Sequence, residues 1–166
     1  MPLFVNMGNT AMHIQALRAT ATLSILLWTK VSFTNLGLGG AKMNAGGRAS
    51  EDTYQKSADE VTEEAKVAQE RAQKIVNNDL ENIPYTMAIT WGSMLCIYLI
   101  EDESVRDQHA MAQIVFYSLF VIARVGHSIA YAKGLAYPRT AVWMLGFICT
   151  FAIGINGAVA SFVVAS

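Results

Sequence analysis

Apolar residues in this chain gather into long blocks rather than the short alternating runs of half-buried strands. The most continuous block starts at Thr140 and carries no charged residue to the end of the sequence. A membrane-crossing helix needs about 20 mostly apolar residues, so this block predicts one. Its small residues Gly146, Gly154, Gly157, Ala158 and Ala160 suit close helix packing. Met111 to Tyr131 forms a second block, broken only by Arg124 and His127, and Ile83 to Ile100 is uncharged. The most polar of the four lies within 11–38 and contains Arg18 and Lys30. Lys30 is expected to face a bundle interior, and Arg18 to reach toward one interface. The pattern predicts an all-α integral membrane four-helix bundle, one membrane domain over 1–166 with spans at about 11–38, 78–100, 111–131 and 140–165.

The polar stretch 39–77 separates the first two spans. Gly39 to Ser50, rich in Gly and Ala, reads as flexible, and Glu51 to Lys74 has a helix-favouring composition. The second span should therefore begin as a helix well outside the membrane. Glu101 to His109 and Lys133 to Pro138 read as short loops. The first and third loops hold Lys42, Arg48, Lys56, Lys66, Arg71, Lys74, Lys133 and Arg139, against Arg106 alone in the second. Basic residues accumulate on the cytosolic side of membrane proteins, which places 39–77 and the third loop there and both termini opposite. No basic region precedes the first apolar run, so that run is expected to be a retained helix rather than a signal peptide.

Composition agrees with a membrane protein and removes several function classes. Hydrophobic residues make up 53% and charged residues 15% of the 166 positions. A net charge of −1 gives no reason to expect a nucleic-acid partner. Cys96 and Cys149 both lie in apolar runs and read as buried small hydrophobes, without disulfide or zinc-ligand spacing. No metal site is expected. The signatures of serine hydrolases, zinc proteases, P-loops and dinucleotide folds are absent.

Two polar stripes stand out. Arg71, Lys74, Asn78 and Glu81 share one helical face within about 80°. Two cations, an amide and a carboxylate can hold a zwitterionic ligand, and they also suit an interfacial helix start with ordinary ion pairs. Arg124, His127, Ser128 and Tyr131 share a face in the third span. An ionisable residue at that depth is a functional candidate, and Arg124 needs a carboxylate or carbonyl partner, for which Glu81 is the natural choice. A structural pair locking two helices is the alternative, and Tyr131 also suits an interfacial anchor. Arg139 and Thr140 stand where the third loop meets the fourth span. A guanidinium there can stabilise a thiolate or serve as a cytosolic anchor.

Two segments, ER-x-x-K-x-x-x-NDLENI from Glu70 to Ile83 and ARVGHSIAY from Ala123 to Tyr131 followed by a Pro-Arg turn, resemble the membrane-associated proteins in eicosanoid and glutathione metabolism. The likeness is closest to the microsomal glutathione transferase and prostaglandin E synthase branch. It implies a homotrimer in the endoplasmic reticulum or a related membrane. Glutathione would sit between subunits near the cytosolic face, with membrane lipid around the bundle. By position, the resemblance gives glutathione contacts to Lys74, Asn78, Glu81, His127, Tyr131 and Trp143, and to Lys42 from a neighbouring subunit. It puts Arg139 beside the sulfur, with Thr140 as a hydroxyl donor. The implied activity is conjugation of glutathione to lipophilic electrophiles, or reduction of lipid hydroperoxides. A prostaglandin E synthase-type isomerase and a non-catalytic lipid-presenting scaffold are the alternatives. Lys42 and Lys74 stand where relatives carry arginines, and NDLENI leans toward the transferases.

Overall fold

Helix boundaries follow from caps that the chain supplies itself. Thr62 accepts the Ala65 N–H through its hydroxyl at 3.2 Å, and Glu63 and Glu64 occupy the positive first turn of that helix. Asp102 does the same for the Val105 N–H at 3.0 Å. Gly134, at φ +70°, closes another helix in the left-handed conformation that glycine adopts without a Cβ clash. The Leu135 N–H there reaches the Ala130 carbonyl at 2.9 Å, and the Gly134 N–H reaches Tyr131 at 3.1 Å.

The computed structural model describes residues 11–164, and the ends of the chain, including the expected close of the fourth span at 165, lie outside them. Four helices result: α1 (Met12–Asn44), α2 (Glu63–Tyr98), α3 (Glu103–Ala132) and α4 (Ala136–Val164). A 3-10 turn at Ala58–Glu60 interrupts the first connection, and no strand occurs among the described residues. The fold is all-α with four helices, as expected.

The helices are longer than the apolar blocks. The segment from Gly39, expected to be flexible, continues α1 to Asn44, which puts Lys42 in the last helical turn. The connection to α2 stabilises this end of α1. Gly46 turns at φ +62°, the Gly47 N–H meets the Lys42 carbonyl at 2.9 Å, and the Lys56 N–H meets Met43 at 3.1 Å. Carbonyls that a helix end leaves unpaired thus have partners, which offsets the poor helix propensity of Gly39 and Gly40. The helix expected from Glu51 starts only at the Thr62 cap. The charged loop expected at 101–109 is mostly the first turns of α3.

Consecutive helices run antiparallel, so the first and third connections share one end. There the Arg71 guanidinium lies 3.4 Å from where a Cβ on Gly134 would stand. α3 packs most extensively on α4; α1 packs on α2 and α3, and α2 touches α4. At one level Leu27, Ile83, Tyr117, Phe120, Cys149 and Ile153 form a buried cluster. The Tyr117 hydroxyl is paired with Ser24 at 2.9 Å. A second cluster toward the α2–α3 connection contains Ala16, Met94, Ile97, Ile100, Ala110 and Ala160. α3 and α4 are long and apolar enough to cross a membrane; α1 and α2 are longer but hold no apolar stretch of that strength. Large apolar side chains cover the exterior, with Trp28 at 68%, Leu36 at 73% and Phe162 at 78% exposure. A water-facing surface rarely tolerates so continuous an apolar coat.

Gly157 sets the α2–α4 distance. A Cβ there would come within 2.7 Å of both Cα and Cβ of Ser93. Gly157→Ala is expected to destabilise the bundle by about 1–3 kcal/mol, the usual cost of overpacking. Thermal unfolding in detergent measures it, and an unchanged midpoint would show that the two helices separate freely at this point.

Candidate functional site

Polar side chains collect at the end of the bundle that carries the first and third connections. The deepest are Lys30, Asp79 and Arg124, one from each of the first three helices. Asp79 is fully buried, and Arg124 is 1% exposed. The Lys30 ammonium donates to both carboxylate oxygens of Asp79. Thr34 donates its hydroxyl to Asp79 Oδ2 at 3.2 Å. Arg124 Nη2 lies 3.6 Å from Asp79 Oδ1 and donates to Asn78 Oδ1. Two cations and one carboxylate thus form a buried ionic layer. Pairing is what makes such burial tolerable.

This corrects the partner expected for Arg124. Glu81 is exposed and forms no hydrogen bond or ion pair among the described residues. The reason is rotational. Asp79 stands about 160° from Glu81 around α2, so when Asp79 faces the bundle interior Glu81 must face out. Lys30 does face the interior, as its place in an apolar run implies. Asp79 was missed as its partner, although the two acidic residues at the mouth of the second span, Asp79 and Glu81, were the signal available.

Next to this layer lie His127, Tyr131 and Arg139. His127 is 3% exposed, its Nδ1 has no hydrogen-bond partner among the described residues, and its ring centre stands 5.7 Å from that of Tyr131. The Arg139 guanidinium carbon lies 4.6 Å above the Tyr131 ring, a cation–π geometry that ties α4 to α3. Ser128 Oγ is also buried without a partner. Lys74, exposed on α2, pairs with Glu70 one turn earlier. The hydrogen bond and charge of Glu70 hold the Lys74 ammonium above the ordinary lysine range, and Lys74 holds the Glu70 carboxyl below its own. Lys74 also feels the charges of Tyr131 and Arg139.

The fold therefore brings His127, Tyr131 and Arg139 into contact, sets Lys74 beside them, and joins Asn78 to Arg124. It does not bring in every expected residue. The Lys42 ammonium forms no hydrogen bond or ion pair among the described residues. Trp143, 36% exposed, stacks on Phe147 at 5.9 Å. The Thr140 hydroxyl donates to the Ala136 carbonyl at 3.2 Å, within its own helix. Chemically, the cluster offers cations, an amide and a phenol to an anionic ligand. Among the described residues no group of His, Cys, Asp and Glu could hold a metal ion.

None of the curated proteins matches this sequence. The profile of the MAPEG family does, over residues 16–159, a stretch that takes in most of each helix and every candidate residue named above. The chain belongs to the MAPEG family.

Proposed function

We propose that the protein is a membrane-bound glutathione transferase that works as a homotrimer. The MAPEG family includes glutathione transferases and prostaglandin E synthases. The observation that carries the choice is the joint placement of Arg139, Tyr131, His127, Lys74 and Asn78 at one end of the bundle, where a thiol peptide finds both charge and hydrogen-bond partners. The donor set fits glutathione. Lys74 and the Asn78 amide suit its carboxylates and peptide carbonyls, and His127 offers an unpaired ring nitrogen. Glu81 faces outward, where it can take the peptide's ammonium group. Lys42, whose ammonium has no partner among the described residues, would complete the site of a neighbouring copy.

In the proposed reaction Arg139 stabilises the glutathione thiolate electrostatically. The sulfur attacks an electrophilic carbon, an S–C bond forms, the leaving group departs with the bonding pair, and the thiol proton passes to water. Tyr131, under the guanidinium, holds Arg139 in place. Thr140 can donate to the sulfur after turning away from Ala136. The lipophilic partner would arrive through the bilayer beside α4. An isomerase of the prostaglandin E synthase kind would use the same thiolate, and a lipid-presenting scaffold would not need Arg139.

Glutathione-dependent turnover of a chlorinated aromatic electrophile by the purified protein tests the reading. Turnover that requires glutathione is expected, whereas glutathione binding without turnover would favour the scaffold. Product analysis with an endoperoxide separates transferase from isomerase.

All four helices are proposed to cross the membrane, with the connection 45–62 in the cytosol. Thiol labelling of Lys56→Cys in sealed vesicles is expected from the cytosolic side only. Labelling from the opposite side would invert the topology.

A further inference from the structure

Arg124 has a choice of acceptors and takes the weaker one. A carboxylate is the better partner for a guanidinium than a neutral amide. Yet Arg124 Nη2 donates to Asn78 Oδ1 and stays 3.6 Å from Asp79 Oδ1, beyond hydrogen-bond reach. The way Asp79 is held, with Oδ1 just out of reach of Arg124, accounts for this. Lys30 donates to both of its oxygens, and Thr34 donates to Oδ2 at 3.2 Å.

The consequence falls on Asn78. Arginine carries donors and no acceptor, so the atom of Asn78 that meets it must be the carbonyl oxygen. The amide N–H group is then turned the other way, off the ionic layer. It has no hydrogen-bond partner among the described residues, and Asn78 is half-buried. The backbone here is also held, since Asn82 donates its side-chain amide to the Asn78 carbonyl at 2.8 Å. The freedom left to Asn78 is the flip of its amide, and Arg124 removes it.

We propose that Lys30 is a positioning residue for the ligand site: by anchoring Asp79 through both oxygens, with Oδ1 out of reach of Arg124, it leaves Arg124 on Asn78, which presents the Asn78 amide N–H group to an acceptor on the ligand. The idea rests on the reading of that site as a glutathione site, and it adds a specificity. At Asn78 the site selects a carboxylate or peptide carbonyl and rejects a donor. Lys30 acts from α1 through two intermediaries and touches no ligand.

Lys30→Met tests this with little charge penalty. It leaves Asp79 and Arg124 as a balanced pair, and the methionine fills the space of the lysine stem. The Asp79 carboxylate, no longer anchored on α1 by an ammonium, is expected to turn toward Arg124, which then releases Asn78. Two measurements on the full-length protein read this out. The first is the side-chain amide NMR signal of Asn78 without ligand, in protein labelled with nitrogen-15 at asparagine, identified by its loss in Asn78→Ala. It is expected to move in Lys30→Met and to return toward the wild-type position in Lys30→Arg. The second is glutathione kinetics. KM for glutathione is expected to rise about fivefold, the worth of one hydrogen bond, with kcat nearly unchanged and Lys30→Arg restoring KM. If Lys30→Met does not fold, Lys30→Gln, with two N–H donors in place of three and no charge, is expected to give intermediate shifts of the same sign.

An Asn78 signal that stays put in a folded Lys30 variant overturns the proposal. So does a moved signal with an unaltered KM, or an equal loss of kcat and KM that Lys30→Arg fails to rescue, which marks a structural role. A wild-type protein that does not bind glutathione removes the functional reading instead. The amide signal, read without ligand, then decides alone whether Lys30 sets the orientation of Asn78.

Discussion

Arg139→Ala is expected to slow conjugation by roughly 10²-fold, the usual cost of removing one group that stabilises an anionic reacting atom. Glutathione affinity should change far less. Lys74, Asn78 and His127 lie on α2 and α3, and each keeps its place when the α4 guanidinium is removed. What the sulfur loses is its cationic neighbour. Its pKa should therefore rise toward that of a free thiol, about 8.5. The sign is fixed by charge: a nearby cation favours the thiolate, so its loss favours the thiol, and the bound thiolate fraction near neutral pH falls. Lys at 139 should restore part of the effect, because charge survives while the planar fork is lost. It should restore less than charge alone suggests, since the stacking of Arg139 on Tyr131 depends on that plane. Ultraviolet titration of the bound thiolate in wild type and Arg139→Ala checks this. Identical thiolate pKa values in two well-folded proteins would move the role to Thr140 or Tyr131, and Arg139 would then be a membrane anchor.

Asp79→Asn is expected to destabilise the bundle by about 3–5 kcal/mol, the range for removing one partner of a buried ion pair. The carboxylate is fully buried and serves Lys30, Thr34 and, at 3.6 Å, Arg124. An asparagine leaves two buried cations without a counter-charge. The double variant Lys30→Met/Asp79→Asn removes one of those cations and should recover part of the loss, so the two sites should be strongly non-additive. Thermal unfolding in detergent for the four members of the cycle measures the coupling. Additive losses would mean that Lys30 and Asp79 are each solvated separately.

The same residue shows where reading the sequence stops. The bundle class was legible because hydropathy averages over a helix, and four helices are found where four apolar blocks stand. Lys30 was legible because a lone cation in an apolar run has few tolerable places to go. Its partner was not. Asp79 and Glu81 differ by two positions in the same motif, and which of them faces inward depends on the rotational phase of α2 against α1 and α3. That phase is set by packing between helices, such as the approach of Gly157 to Ser93, and leaves no local trace in the motif. The same holds for the helix ends. Gly39 and Gly40 look like a flexible start to a loop until the Gly47 and Lys56 amides are seen to close the end of α1. Of the expected site, His127, Tyr131 and Arg139 come together within the chain. Lys42, Glu81 and Trp143 do not: the phase of α2 turns Glu81 outward, Trp143 stacks on Phe147, and the Lys42 ammonium has no partner among the described residues.

The Lys30–Asp79 pair also bears on how the chain reaches its membrane. The two residues are 49 positions apart in sequence. In a chain whose α1 crosses the bilayer, α1 emerges from the ribosome with a lysine whose counter-charge has not yet been made. A lysine at the centre of an inserting helix costs about 2.5–3.5 kcal/mol, and Lys30, level with Asp79 at the mouth of the second span, costs α1 less than that. The arrival of α2 removes this remaining cost by neutralising Lys30, which favours integration of the first two helices as a hairpin.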